Sequence, residues 1–127
     1  MTPKSLLRHP FAASSVDEFI EKEFSKVLTY QSKNKDNSEL LVLCSGKIIV
    51  DLLDENNNPK NQNCSIISIE ELYPFPFKEI ESFINKNKNV NKIIWIQEEP
   101  KNRGAWQFVS NQINKSSILN DLELEYY

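Results

Sequence analysis

Glycine is almost missing from this chain. Only 2 of its 127 residues are Gly, where average usage of about 7% would give roughly nine. Two glycines cannot build a multi-glycine phosphate loop, which excludes that class of nucleotide site. Histidine is represented by His9 alone and cysteine by Cys44 and Cys64. Zinc centres draw on closely spaced ligand pairs, and nothing in the spacing of His9, Cys44 and Cys64 supports a metal site or a Cys–His nucleophile. Both cysteines fall in or beside strand-like runs and read as reduced, buried thiols of a cytosolic protein. No apolar run approaches the roughly 18 residues of a membrane span. The start, Met1 to Arg8, has neither the apolar core nor the cleavage site of a signal peptide. Net charge is −3 with scattered basic residues, so there is no electrostatic footprint for nucleic acid.

What remains is the profile of one soluble globular domain: 127 residues, 39% hydrophobic and 26% charged, enough for a single core. The abundance of Lys, Asn and Ile reads as compositional bias. The organising stretch is Lys92 to Phe108. Its run Ile93 to Ile96 is too short for a helix and rich in β-branched and aromatic types, which predicts a buried strand. Pro100 cannot donate to a sheet ladder, so the strand stops before it. Gly104 permits a tight approach, and helical spacing resumes from Trp106 to Ile113. A strand, a polar turn and a helix make half of a βαβ unit, and in such sheets function collects beyond the carboxyl ends of the strands.

The rest of the chain fits around that unit. Met1 to Phe11, with Pro3 and Pro10, reads as a linker in which Leu6 and Leu7 need a neighbour. Ser15 and Glu18 form a capping-box pattern ahead of Val16, Phe19 and Ile20. From Phe24 to Tyr30 the pattern fits a helix or a short strand equally. Leu40 to Cys44 predicts a second strand. Beyond Ser45-Gly46, the stretch Lys47 to Leu53 is either the far arm of a tight hairpin, favoured by Ile48-Ile49-Val50, or a helix burying Ile49, Leu52 and Leu53. Cys64 to Ile69 is a third strand. Tyr73-Pro74-Phe75-Pro76 bars regular structure, and Phe77 to about Lys86 is an amphipathic helix. Leu122 to Tyr126 alternates as a half-buried strand with nothing after it, as in a piece of a longer protein. Strands alternating with helices predict an α/β fold, a mostly parallel sheet covered on both faces.

Few residues carry chemistry. Glu98 and Glu99 are neighbours, and on a strand neighbours face opposite ways, so they do not form an acid/base pair unless the turn bends between them. Ser45-Gly46-Lys47 at a strand end offers backbone N–H groups and a cation to an anion, with Arg103 able to join if the two loops share an edge. Trp95, Trp106 and Phe108 read as core. No self-contained catalytic constellation is visible.

Four motifs in order then carry a resemblance: Met1 to Pro10, Cys44-Ser45-Gly46-Lys47, Leu72-Tyr73-Pro74-Phe75-Pro76, and Gln97 to Trp106. Together they resemble the C-terminal domains of the thiamine-diphosphate-dependent component of 2-oxoglutarate dehydrogenases, over essentially the whole chain. The resemblance implies a transketolase C-terminal-like fold: three layers, α/β/α, with a five-stranded mixed sheet whose first strand is antiparallel. It makes Phe24 to Gln31 that strand and Lys47 to about Asp54 a helix. Residues 1–14 become an interdomain linker and residues 15–127 the domain, followed in the family by a tail missing from this sequence. Ser68 and Glu71 replace a common Arg and Gln, and Arg103 stands where Gln is common.

The resemblance further implies an enzyme of the tricarboxylic acid cycle, cytoplasmic or, in a eukaryote, in the mitochondrial matrix. Its thiamine diphosphate and magnesium sit on upstream domains, with no cofactor in this part. Partners are those upstream domains, the second subunit of a homodimer and a dihydrolipoyl succinyltransferase, with no nucleic acid or membrane. This domain then supplies packing and dimer contacts. Alternatives are an acetyl-CoA or nucleotide effector module, with Ser45, Lys47, Gln97 and Arg103 as effector- or anion-binding candidates, and a free-standing interaction domain.

Overall fold

The computed structural model describes residues 10, 13, 24–31, 38–56 and 64–127. His9, Leu6 and Leu7, the Ser15 capping box and almost all of the expected linker lie outside them. The elements run β1 (Val27–Tyr30), β2 (Leu40–Cys44), α1 (Ile48–Asn56), β3 (Cys64–Ile69), α2 (Phe77–Lys86), β4 (Lys92–Ile96), α3 (Trp106–Lys115), a 3-10 turn (Leu119–Asp121) and β5 (Glu123–Tyr126).

The strands form one five-stranded sheet in the order β1-β3-β2-β4-β5. β1 runs antiparallel to β3, with Val27 opposite Ile69 and Tyr30 opposite Ile66. Every other pairing is parallel: Leu40 stands level with Cys64 on one side and with Lys92 on the other, and Lys92 with Glu123. The fold is therefore the mixed α/β sheet expected. The expected first strand is trimmed to Val27–Tyr30.

Alternation along the strands creates two cores. Leu41, Leu43, Ile67, Ile69, Ile93 and Trp95 point to one face, where they meet Ile80, Phe83 and Ile84 of α2 and Val109 and Ile113 of α3. Val42, Cys44 and Ile66 point to the other, where Ile48, Ile49 and Leu52 of α1 cover them. β2 is buried on both faces, with Leu41, Leu43 and Cys44 at 0% exposure and Val42 at 5%; that is why its sequence is a continuous apolar run without alternation. Ile48-Ile49-Val50 opens a helix despite its β-branched side chains. A hairpin there would pair a second strand against β2, and both edges of β2 are already taken by β3 and β4. Tertiary context overrides the local preference.

Helix ends are set by few side chains. Asn87 closes α2, its backbone N–H donating to Ile84 O and Phe83 O and its Nδ2 to Phe83 O at 2.8 Å. Ser116 ends α3: its hydroxyl donates to Glu81 Oε1 at 2.6 Å and accepts from the N–H groups of Ile118 and Leu119. That one hydroxyl ties α2 to the turn leading into β5. The turn moves the start of β5 to Glu123, one residue past the expected Leu122. On β5, Glu123 and Glu125 flank Lys92 of β4, 3.8 and 2.7 Å from its Nζ.

Ile80, fully buried under the sheet, should be among the costly positions. We expect Ile80→Ala to lose about 2–5 kcal/mol in urea unfolding, while Leu28→Ala, at a 41% exposed site, loses under about 1 kcal/mol. Equal losses would contradict the layer assignment.

Candidate functional site

After β2 the chain turns into α1 on one face of the sheet, and after β4 it turns into α3 on the other. β2 and β4 are parallel neighbours, so their loops part company at the carboxyl edge and leave a crevice between them. An open cleft of about 580 Å³ lies there. Ser45 and Gly46 line it from the β2 exit, and Leu72 and Tyr73 from the β3 exit. Trp95, Gln97 and Glu99 line it from the end of β4, with Gly104, Ala105 and Phe108 at the entry to α3.

The loop from β4 to α3 is built around one side chain. Gln97 is 9% exposed. Its Oε1 accepts hydrogen bonds from the indole Nε1–H of Trp95 at 2.8 Å and from the backbone N–H of Trp106 at 3.1 Å. Its Nε2 donates to the carbonyls of Glu99, Pro100 and Arg103 at 3.0, 3.2 and 2.8 Å. The amide thus anchors the buried indole, closes the turn and supplies an acceptor to the first turn of α3, which has no capping side chain at Ala105. Gly104 makes this possible. It sits at φ +66°, and a Cβ there would lie 2.9 Å from Gln97 Nε2 and 3.0 Å from Glu99 Oε2; both the conformation and the space require glycine.

The carboxyl-terminal strand clasps the same loop. Tyr126 donates its hydroxyl to the Glu99 carbonyl at 2.8 Å, and its ring lies 5.3 Å from that of Trp106. Lys101 Nζ sits over both rings, 5.5 and 5.6 Å from their centroids, a cation–π contact on the outer side of the loop.

The four candidates picked from the sequence fare differently. Ser45 and Gln97 line the same cleft, but the Gln97 amide is engaged internally. Lys47 turns to Glu98, Nζ to Oε1 3.7 Å. Arg103 is exposed and contributes its backbone to the turn, its N–H donating to Pro100 O at 2.8 Å. The loop bends between the two adjacent carboxylates: Glu98 pairs with Lys47 while Glu99 lines the cleft. Trp95 is core, as expected, at 1% exposure. The sequence reading missed Leu72, Tyr73 and Glu99 as lining residues; the two prolines after Tyr73, which hold that segment out of regular structure, were the available signal.

Cys44 is buried beneath α1, its thiol directed at Ile67 O at 3.9 Å. Burial pushes its pKa from the ordinary thiol value near 9 up to about 12, with Glu70 adding to the rise and a hydrogen bond with Ser68 opposing it. Burial raises the Tyr30 and Cys64 pKa values as well. Among the described residues no group of three or more His, Cys, Asp or Glu is placed to hold a metal, and His9 lies outside them.

Two outcomes follow. Gln97→Leu leaves the Trp95 indole N–H buried without an acceptor, and we expect it to cost about 1–3 kcal/mol; Gly104→Ala should cost at least about 1 kcal/mol through strain and displacement of the Gln97 amide. Calorimetric or urea melts check both, and wild-type stability in either variant would refute the arrangement. A thiol whose folded pKa lies above its unfolded value stabilises the fold below the unfolded pKa and loses that contribution as pH rises through the folded one. Stability should therefore fall between about pH 9 and pH 12, and fall less steeply in Cys44→Ala.

Residues 13–126 match the family model described as 2-oxoglutarate dehydrogenase C-terminal. The chain is 42% identical over 118 residues to the 2-oxoglutarate dehydrogenase E1 component of Geobacillus sp. (strain WCH70), covering 91% of this chain and 12% of that protein. It is 43% identical over 116 residues to the E1 component of Rickettsia felis, covering 90% of this chain and 12% of the relative. Against the E1 component of Haemophilus influenzae it is 38% identical over 127 residues, covering 99% and 14%. The chain thus spans only about an eighth of the length of these relatives. With the match running from residue 13 to residue 126, through every described strand and helix, the chain belongs to the 2-oxoglutarate dehydrogenase C-terminal family.

Proposed function

We propose that this chain works as the C-terminal domain of a 2-oxoglutarate dehydrogenase E1 component, as a scaffold for a reaction carried out elsewhere. The observation that carries this reading is the match over residues 13–126, combined with a carboxyl-edge loop whose most buried polar side chain, Gln97, is spent on holding backbone and indole in place. In the proposed enzyme 2-oxoglutarate is oxidatively decarboxylated and a succinyl group passes to a lipoyl arm. Thiamine diphosphate, held with magnesium on the upstream domains, supplies the carbanion chemistry. This domain contributes a rigid α/β/α block that packs on those domains and on the second subunit of a homodimer, and the assembly meets a dihydrolipoyl succinyltransferase.

The location proposed is the cytoplasm, or the matrix of a mitochondrion. Cys44, a thiol outside any disulfide, fits a compartment where thiols stay reduced. No helix among the described residues is long and apolar enough to cross a membrane.

A domain exchange tests the reading. Residues 13–126 should replace the matching region of the Geobacillus E1 component with 2-oxoglutarate decarboxylation retained, whereas deletion of that region abolishes it. The 127-residue chain alone should bind no thiamine diphosphate in calorimetric titration. A folded but inactive exchange protein, or tight cofactor binding by the chain alone, would overturn it.

A further inference from the structure

The cleft at the carboxyl ends of β2 and β4 has a charge character that the family reading does not explain. Its volume, about 580 Å³, falls in the range of roughly 300–1,000 Å³ typical of ligand-sized sites. Of the residues lining it, Glu99 alone carries a formal charge. Lys47, next in sequence to the lining residue Gly46, has its ammonium 3.7 Å from the Glu98 carboxylate. The charge in the wall itself is a carboxylate; of the cations beside it, Lys47 is paired with Glu98 and Arg103, next in sequence to the lining Gly104, is exposed at the rim.

The uncharged wall is apolar and aromatic, with Leu72, Tyr73, Trp95 and Phe108 prominent. Tyr73 is 83% exposed, which leaves its ring open to a ligand at the edge of the cleft. An aromatic face attracts a cation, a nearby carboxylate adds charge-assisted hydrogen bonds, and an apolar wall covers a methylene stem. One common side chain has all three complements. The arginine guanidinium is planar, stacks on rings, donates in a fork that fits a carboxylate, and stays charged at every working pH.

We propose that this cleft is a docking site for an arginine side chain presented by a protein segment, with Glu99 taking the guanidinium and Tyr73 stacking on it. A free amino acid would bring its own α-carboxylate to a wall whose one charged residue is Glu99; an arginine within a peptide brings neutral amides instead. Glu99 is available for this role because the loop is held by its backbone carbonyl, which accepts from Gln97 and Tyr126. The carboxylate can be changed without undoing the turn. The proposal stands on the cleft alone and does not require the dehydrogenase reading.

The test titrates the 127-residue chain with N-acetyl-arginine amide and with the neutral, equally shaped N-acetyl-citrulline amide, following the amide signals of Gly46 and Gly104 and the Trp95 indole. The arginine amide should shift these signals and bind on the order of tenfold more tightly than the citrulline amide, the factor expected for one charge-assisted pair. Glu99→Gln should remove that difference while the melting temperature holds, and Tyr73→Ala should weaken the arginine amide in a folded chain. Equal binding of the two amides, no effect of Glu99→Gln, or adenosine monophosphate shifting the same signals where the arginine amide does not, would each overturn the proposal.

Discussion

One primary amide, that of Gln97, determines the shape of the carboxyl edge. A buried amide must find partners for its oxygen and its N–H groups or lose several kcal/mol of solvation. Here those partners are a buried indole, three carbonyls of the turn and the first free N–H of α3. The strand end, the turn and the helix start are therefore one unit. Gly104 is the steric condition for it: the amide occupies the space that any side chain at that position would need. Tyr126, reaching over from β5 to the Glu99 carbonyl, adds the last strand to the same unit. Removing the Gln97 amide leaves the buried Trp95 indole N–H without its acceptor and the turn carbonyls without their donor, so the strand end and the turn depend on one another.

The sheet explains why this unit faces a cleft. β2 has parallel neighbours on both sides, and the helices that follow β2 and β4 lie on opposite faces. Their loops diverge, joined across the rim by the Lys47–Glu98 ion pair. The wall left behind combines apolar rings with one carboxylate, while the nearby lysine leans on Glu98. Position in the fold makes the crevice; the residues at its rim decide which charge it tolerates.

Much of this was legible in the sequence. Cys64 to Ile69 and Phe77 to Lys86 are the observed β3 and α2, because a run of β-branched residues and an i, i+3, i+4 pattern each point one way. Ile48-Ile49-Val50 was ambiguous because β-branching and amphipathicity disagree there, and the occupied edges of β2 decided it. The helix implied there by the four-motif resemblance is the observed α1, Ile48–Asn56. The 3-10 turn at Leu119 was hidden, since the hydroxyl of Ser116 that closes it works through Glu81, 35 residues earlier in the chain. Gln97 was legible as a notable residue but not as an internal one. A polar side chain at a strand end looks the same in sequence whether it meets a ligand or its own backbone, and only the distances to Trp95 and Arg103 separate the two.

Hydrogen exchange followed by NMR examines the central interaction most directly. If the Gln97 amide holds the loop, the Trp95 indole N–H and the Trp106 backbone N–H should exchange only through the same global opening that releases the core amides of β2, with matching opening free energies. Exchange of these two protons at rates near those of exposed amides, while β2 stays protected, would show that the loop opens independently and would contradict the account.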